Sequence, residues 1–174
     1  MVGIVGRNGT GKTSLFRLIR KEWDVDSGQI EVPAKFRIGS VDQEAPASDI
    51  SLLETVLAAD HERHHLLAEA YTATDADRLG QIHARLTDID AHSGEARAAS
   101  ILSGLGFGQA LQVRPCFEFS GGWRMRVALA AVLFAQPDLL LLDEPTNYLD
   151  LEGAIWLESF IAKYKHTVLV ISHD

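Results

Sequence analysis

The sequence is poor in the features that mark a secreted or membrane-embedded chain. Cys116 is its only cysteine, which excludes an internal disulfide and fits a reducing compartment. The longest leucine run, Leu139–Leu142, is far too short to span a bilayer. The opening stretch MVGIVGRNGTGK has no positively charged start followed by an apolar core, so it carries no secretory pattern. Positive charge is also in short supply. There are 24 acidic and 16 basic residues, for a formal net charge of -8. That excludes a general nucleic-acid-coating surface but leaves room for a local basic patch. No internal repeat or low-complexity tract is evident. A soluble, cytoplasmic domain is the expectation, and at 174 residues with 47% hydrophobic content the chain suits one domain with a real core.

The segment MVGIV reads as a buried strand that runs into glycines and then an amphipathic helix, KTSLFRLIRKEW, with Leu15, Phe16, Leu18 and Ile19 on one side. Two short extended segments follow, GQIEV and FRIGSV. From Ser51 to about Gly104 the pattern turns helical. Ser51 and Glu54 form a capping-box spacing ahead of an apolar face made of Leu52, Leu53, Val56 and Leu57. Further helices are expected through DRLGQIHARLTDI and EARAASILSGL, and Gly104, Gly106 and Gly108 punctuate the end. After Pro115 helix and strand alternate again: GGWRMRVALAAVLF, DLLLLDEP, LEGAIWLESFIAKY, TVLVIS. Apolar strands alternating with helices imply a mainly parallel sheet covered on both faces. The expected architecture is an α/β core over 1–45 and 115–174, with a helical subdomain inserted at 46–114.

The stretch GRNGTGKT, Gly6 to Thr13, fits G-x-x-x-x-G-K-[ST] in its required place between a strand and a helix. Glycines at 6, 9 and 11 let the backbone of Gly6, Arg7, Asn8, Gly9, Thr10 and Gly11 curl so that successive N–H groups point at phosphate oxygens. The helix that follows adds its N-terminal dipole. Lys12 reaches the terminal phosphates, the Thr13 hydroxyl can ligate Mg²⁺, and Ser14 can cap another phosphate oxygen. The strand LLLLDEP ends in Asp143 and Glu144, at the sheet edge where open α/β folds bind ligands. Asp143 would hold Mg²⁺ and Glu144 would act as general base on the attacking water. The bland alternatives are a glycine-rich turn with an incidental lysine and an acidic strand end before Pro145. Taken together the two elements define a P-loop ATPase or GTPase.

A second Ser-Gly-Gly turn, in FSGGWRMRVALA, narrows the choice. Followed by LLLLDEPTNYLDLE and VISHD, it resembles the ATP-binding-cassette superfamily, and more closely the first cassette of ABC-F proteins, the cytosolic branch without membrane segments. The motifs come in the family's order over nearly the whole chain. The resemblance implies ATP as the nucleotide and assigns Gln43 to a loop that touches Mg²⁺ and the attacking water. Ser120, Gly121 and Gly122 match the signature loop, which faces the ATP of a second cassette. Leu149 and Asp150 match the loop coupling the two sites, and His173 matches the switch histidine on the γ-phosphate. A cassette of this kind hydrolyses weakly alone, because electrostatic stabilisation dominates phosphoryl transfer and half of it comes from the partner cassette. Members of this branch act on the ribosome in translation, with no direct membrane insertion.

The chain departs from the family pattern at Phe119, where many cassettes have Leu, and at Tyr148, where His is usual. Trp123 stands where transporter cassettes have Gln, and it favours ABC-F. The strand with the adenine-stacking aromatic and the segments after Asp174 are missing, so a fragment truncated at both ends is expected. The runner-up is the ATPase subunit of an ABC membrane transporter. Two further readings are a degenerate cassette that only clamps ATP and a zinc hydrolase built on HERHH. In the latter, His61 and His65 bind metal and Glu62 acts as base; the alternative is a solvated helix face. His83 and His92 read as surface residues, Trp23 and Trp156 as packing residues on apolar helix faces. Arg124 and Arg126 either meet a partner domain or solvate their helix.

Overall fold

The computed structural model describes residues 1–7, 9–41 and 47–172. It divides into two compact units, Met1–Gln43 with Gln136–Asp174, and Glu44–Ala135.

The first unit is a four-stranded, wholly parallel sheet. Its strands are β1 (Val2–Val5), β2 (Ile38–Ser40), β3 (Leu139–Asp143) and β4 (Thr167–Ser172), in the order β1-β4-β3-β2. Helices α1 (Lys12–Ile19) and α8 (Leu151–Ala162) complete it. The run Leu139–Leu142 is buried without alternation, as a central parallel strand covered on both faces requires. Phe16 and Ile19 of α1 join Leu139, Leu141 and Ile171 in one core cluster, with Ile4, Leu15, Ile38 and Leu169 packed against it.

Three local expectations change. The β1 strand is not buried: among the described residues it pairs with β4 alone, and Val2 and Val5 are exposed while Ile4 is half-buried. The interior of the sheet belongs to β3 and β4. The segment GQIEV forms no strand, although Ile30 and Val32 still pack on the core; a short apolar run can deliver side chains inward without a ladder partner. Trp23 lies beyond the helix, because α1 stops at Ile19 and Lys21 takes a left-handed φ of 59°. Its ring is half-exposed, with the Arg17 guanidinium 4.8 Å above it.

The second unit holds α2 (Leu52–Ala58), α3 (His61–Thr72), α4 (Ala76–Asp88), α5 (Gly94–Gly104), α6 (Gln109–Gln112) and α7 (Gly121–Ala135). It runs to Ala135 rather than ending at 114, because α7 packs on α2 and α5. That helix buries Val127, Leu129, Ala130, Leu133 and Phe134. The capping box at α2 is complete: the Glu54 N–H donates to Ser51 Oγ and the Ser51 N–H to Glu54 Oε2, both at 3.2 Å. Asp60 and Asp75 cap α3 and α4 with their side chains alone, accepting from the N–H groups of Arg63 and of Asp77 and Arg78.

Ser51→Ala is expected to cost about 1 kcal/mol, read as a lower midpoint in thermal unfolding. The Ser51 hydroxyl and N–H both hold the Glu54 carboxyl below its ordinary pKa. A carboxylate with a depressed folded pKa stabilises above its unfolded value and loses that contribution as pH falls through the folded one. The difference between wild type and Ser51→Ala therefore shrinks in acid.

Candidate functional site

The phosphate loop leaves β1 at Val5 and enters α1 at Lys12. Two of its glycines are conformational necessities, since Gly9 and Gly11 have φ of 80° and 92°, a region costly to any residue with a Cβ. The loop is tied within itself. The Thr10 hydroxyl donates to the Arg7 carbonyl at 2.9 Å, and the Lys12 amine donates to the Gly6 carbonyl at 2.5 Å and the Arg7 carbonyl at 3.3 Å. A Cβ at Gly6 would come within 3.1 Å of Thr10 Oγ1.

From the other side, β3 carries Asp143 to the same place. The Thr13 hydroxyl donates to Asp143 Oδ2 at 2.6 Å. Glu144 follows in a left-handed conformation, φ 48° and ψ 52°, while its N–H still donates to the Ile171 carbonyl of β4 at 3.0 Å. A non-glycine residue held there is strained by about 1–2 kcal/mol, and such strain clusters at functional sites. Gly9, Thr10, Gly11, Lys12, Thr13, Ser14, Asp143 and Glu144 together line an open cleft of about 300 Å³, a volume at the lower end of ligand pockets.

The remaining candidates fall elsewhere. Asn8, Gln43 and His173 lie outside the described residues. Asp150 is the N-cap of α8, its Oδ1 accepting the Gly153 N–H at 2.9 Å. Ser120, Gly121 and Gly122 belong to the second unit, at the exposed start of α7. A Cβ on either Gly121 or Gly122 would meet nothing within 4 Å, and neither has a positive φ. Among the described residues neither packing nor backbone conformation requires glycine at either position. Close approach of an outside group is the other reason to place glycine.

Arg124 and Arg126 are both engaged inside their own unit. Arg124 Nη1 donates to the Phe119 carbonyl at 2.7 Å, while Arg126 Nη1 donates to the Leu105 carbonyl at 3.2 Å and its guanidinium lies 4.5 Å over the Trp123 ring. Sequence reasoning missed what these arginines hold; the glycine punctuation around Phe107 was the available signal. Trp156 stacks on Phe160 at 5.2 Å.

The histidine-rich helix start is tied into ion pairs. The Glu62 carboxylate accepts from Arg85 Nε at 2.6 Å, which occupies the group a zinc hydrolase would need as its base. Glu69 takes two bonds from Arg78, at 2.6 and 2.8 Å, with His65 Nδ1 3.8 Å away. No group of three metal-ligating side chains occurs among the described residues.

Comparison with known proteins agrees with this geometry. The family model described as ABC transporter matches residues 1–147. The probable ATP-binding protein YheS of Haemophilus influenzae is 47% identical over 176 residues, covering 99% of this chain and 28% of that protein. Human ATP-binding cassette sub-family F member 3 is 44% identical over 183 residues, covering 99% of this chain and 25% of its own length. The chain thus spans little more than a quarter of the curated relatives it matches.

Among solved structures, the archaeal ribosome recycling factor aABCE1, in complex with the ribosomal stalk protein aP1, superposes with a TM-score of 0.66 at 26% identity. The match covers 99% of this chain and 28% of that one. The ATP-binding cassette MJ0796, dimeric and bound to ADP and Pi, gives 0.64 at 22% identity, over 100% of this chain and 75% of its own; it speaks to the fold alone. A phosphate loop facing two strand-end carboxylates on a parallel sheet, in a chain matched along its length by such relatives, belongs to the ATP-binding-cassette family, on its sub-family F branch.

Proposed function

We propose that the chain is the first cassette of an ABC-F-type ATPase, binding ATP in the loop cleft and hydrolysing it to ADP and phosphate with Mg²⁺. The observation that carries this reading is the Thr13–Asp143 hydrogen bond, which sets a hydroxyl and a carboxylate oxygen together beside the phosphate loop. Such a pair of hard oxygen donors suits Mg²⁺, which takes few protein ligands and keeps water and phosphate oxygens for the rest. When bound, the ion would neutralise charge on the phosphates.

In this reading the loop N–H groups from Gly6 through Ser14, including Arg7, Asn8 and Thr10, hold the phosphates. Lys12 turns its amine from the loop carbonyls to the terminal phosphates. Glu144 accepts a proton from the attacking water, and Gln43 and His173 orient the water and the γ-phosphate. The exposed Ser120, Gly121 and Gly122 serve the ATP of a second cassette, with open space above the glycines for its phosphates. The Asp150 cap fixes the start of α8 and with Leu149 forms the coupling loop between the two sites. The greater length of the relatives supports a second cassette outside this chain.

Coupling to the ribosome is the fuller form of the proposal. It is supported by the likeness to an archaeal ribosome recycling factor. A cytoplasmic setting accords with it, and no helix among the described residues is long and apolar enough to cross a membrane. The test is to add ATP to a lysate holding the full-length protein with Glu144→Gln, plus the equivalent change in any second cassette. Sedimentation with ribosomes is the expected result. Sedimentation with membranes, without a ribosome signal, would replace this reading by the subunit of a membrane transporter.

A further inference from the structure

The turn Ser120–Gly122 has little structure of its own. It is exposed, and its glycines have open space around them. Whatever sets its direction must come from its flanks. The residues on either side, Phe119 and Trp123, pack against the same ring. Phe107 meets Phe119 edge-on at 5.8 Å and 80°, and meets Trp123 at 5.1 Å and 63°. Phe107 itself is fully buried.

This shared anchor is held from below. Gln112 is the one polar residue buried among the described residues. Its amide donates to the Phe107 carbonyl at 2.9 Å, to Ser103 Oγ at 3.0 Å and to the Ala99 carbonyl at 3.1 Å. A buried amide nitrogen within bonding distance of three acceptors restricts the backbone around it. The preceding residue, Gly106, has φ 95°, and a Cβ there would come within 3.0 Å of Arg126 Nη1 and 3.6 Å of the Trp123 ring. Glycine is therefore demanded by conformation, and a Cβ would also press on the Arg126 guanidinium.

Cations close the arrangement from outside. Arg126 lies over Trp123 and bonds the Leu105 carbonyl. Arg114 lies 5.5 Å from the Phe119 ring centre and pairs with Glu118, its Nε 2.7 Å from Oε2. Arg124 bonds the Phe119 carbonyl at the mouth of the turn.

We propose that Phe107 is a positioning residue for ATP hydrolysis: by docking both flanks of the Ser120–Gly122 turn on one buried ring, it fixes where the turn presents its hydroxyl and N–H groups. The proposal rests on the reading of that turn as a phosphate-contacting loop. Such loops act by being correctly placed before the reaction, so a shift too small to unfold the protein still costs turnover.

The experiment uses the full-length protein with Phe107→Leu, below the melting temperature of each variant. Nucleotide affinity is read with a fluorescent ATP analogue and turnover by phosphate release. The expected result is a fall in kcat of about tenfold or more, with affinity at the Lys12 loop unchanged. Trp123→Phe, which retains a ring facing Phe107, is expected to keep most of the turnover, while Trp123→Leu loses it. Should Phe107→Leu fail to fold, the half-buried Trp123 pair provides the same comparison. A lower melting temperature with unchanged kcat in Phe107→Leu, or equal kcat in both Trp123 variants, would overturn the proposal and leave a packing cluster only. Gly122→Asp separates the two levels: if it leaves kcat unchanged, the phosphate-loop reading of the turn has failed, and the positioning role with it. If Gly122→Asp stops turnover while Phe107→Leu does not, only the positioning role has failed.

Discussion

Replacing Glu144 by glutamine in the full-length protein, with the matching change in any second cassette, is expected to lower ATP turnover by about 10²–10⁴-fold, the usual contribution of a general base. Nucleotide binding should persist. The reason lies in how Glu144 is held. Its N–H remains bonded to the Ile171 carbonyl, so the backbone is still part of the sheet, yet its φ of 48° breaks the strand direction at that residue. The side chain lines the cleft opposite Thr10–Ser14. Glutamine keeps the length, the shape and the donor bond to β4 while removing the proton acceptor. Steady-state phosphate release together with analogue titration separates the two effects. Turnover retained at the wild-type level would place the base on another residue and remove Glu144 from the reaction.

Lys12→Ala carries the second large effect, a loss of ATP affinity of about 10–10²-fold, the scale of a hydrogen bond to a charged group. Two roles are lost at once. The amine now donates to the Gly6 and Arg7 carbonyls, which ties the loop together, and it is the cation among the residues that line the cleft. Lys12→Arg distinguishes them. A guanidinium keeps the charge and can still reach carbonyl oxygens, but it presents a planar fork in place of a compact ammonium. It is expected to bind ATP nearly as poorly as alanine. Recovery of affinity in Lys12→Arg would mean that charge alone suffices. Unchanged affinity in Lys12→Ala would mean that the amine serves loop closure and not the nucleotide.

Much of this site was legible in the chain because its chemistry is local. A phosphate loop depends on glycines at fixed spacing within eight residues, and the left-handed φ of Gly9 and Gly11 falls where that spacing demands. The Ser51–Glu54 cap and the continuous apolar run of β3 are likewise decided over a few residues. Periodicity was weaker where burial depends on neighbours. MVGIV and LLLL look alike as apolar runs, yet among the described residues one forms an edge strand and the other lies between two neighbours, since strand order is set by pairing between distant segments. Trp23 looked like a continuation of the α1 face until a single left-handed residue at Lys21 ended the helix.

The sequence by itself determined the glycine-lysine loop between strand and helix, which carboxylates close the core strand, and which turn begins with two adjacent glycines. Only the tertiary structure decided what these residues meet. Thr13 and Asp143 are 130 positions apart in the chain, and no local pattern specifies their 2.6 Å hydrogen bond. It follows from the parallel order β1-β4-β3-β2, which brings the loop after β1 and the end of β3 to the same edge. The docking of Phe119 and Trp123 on Phe107 is of the same kind. Side-chain periodicity specifies which face of an element is apolar, whereas the partner of that face is chosen by packing between elements distant in sequence.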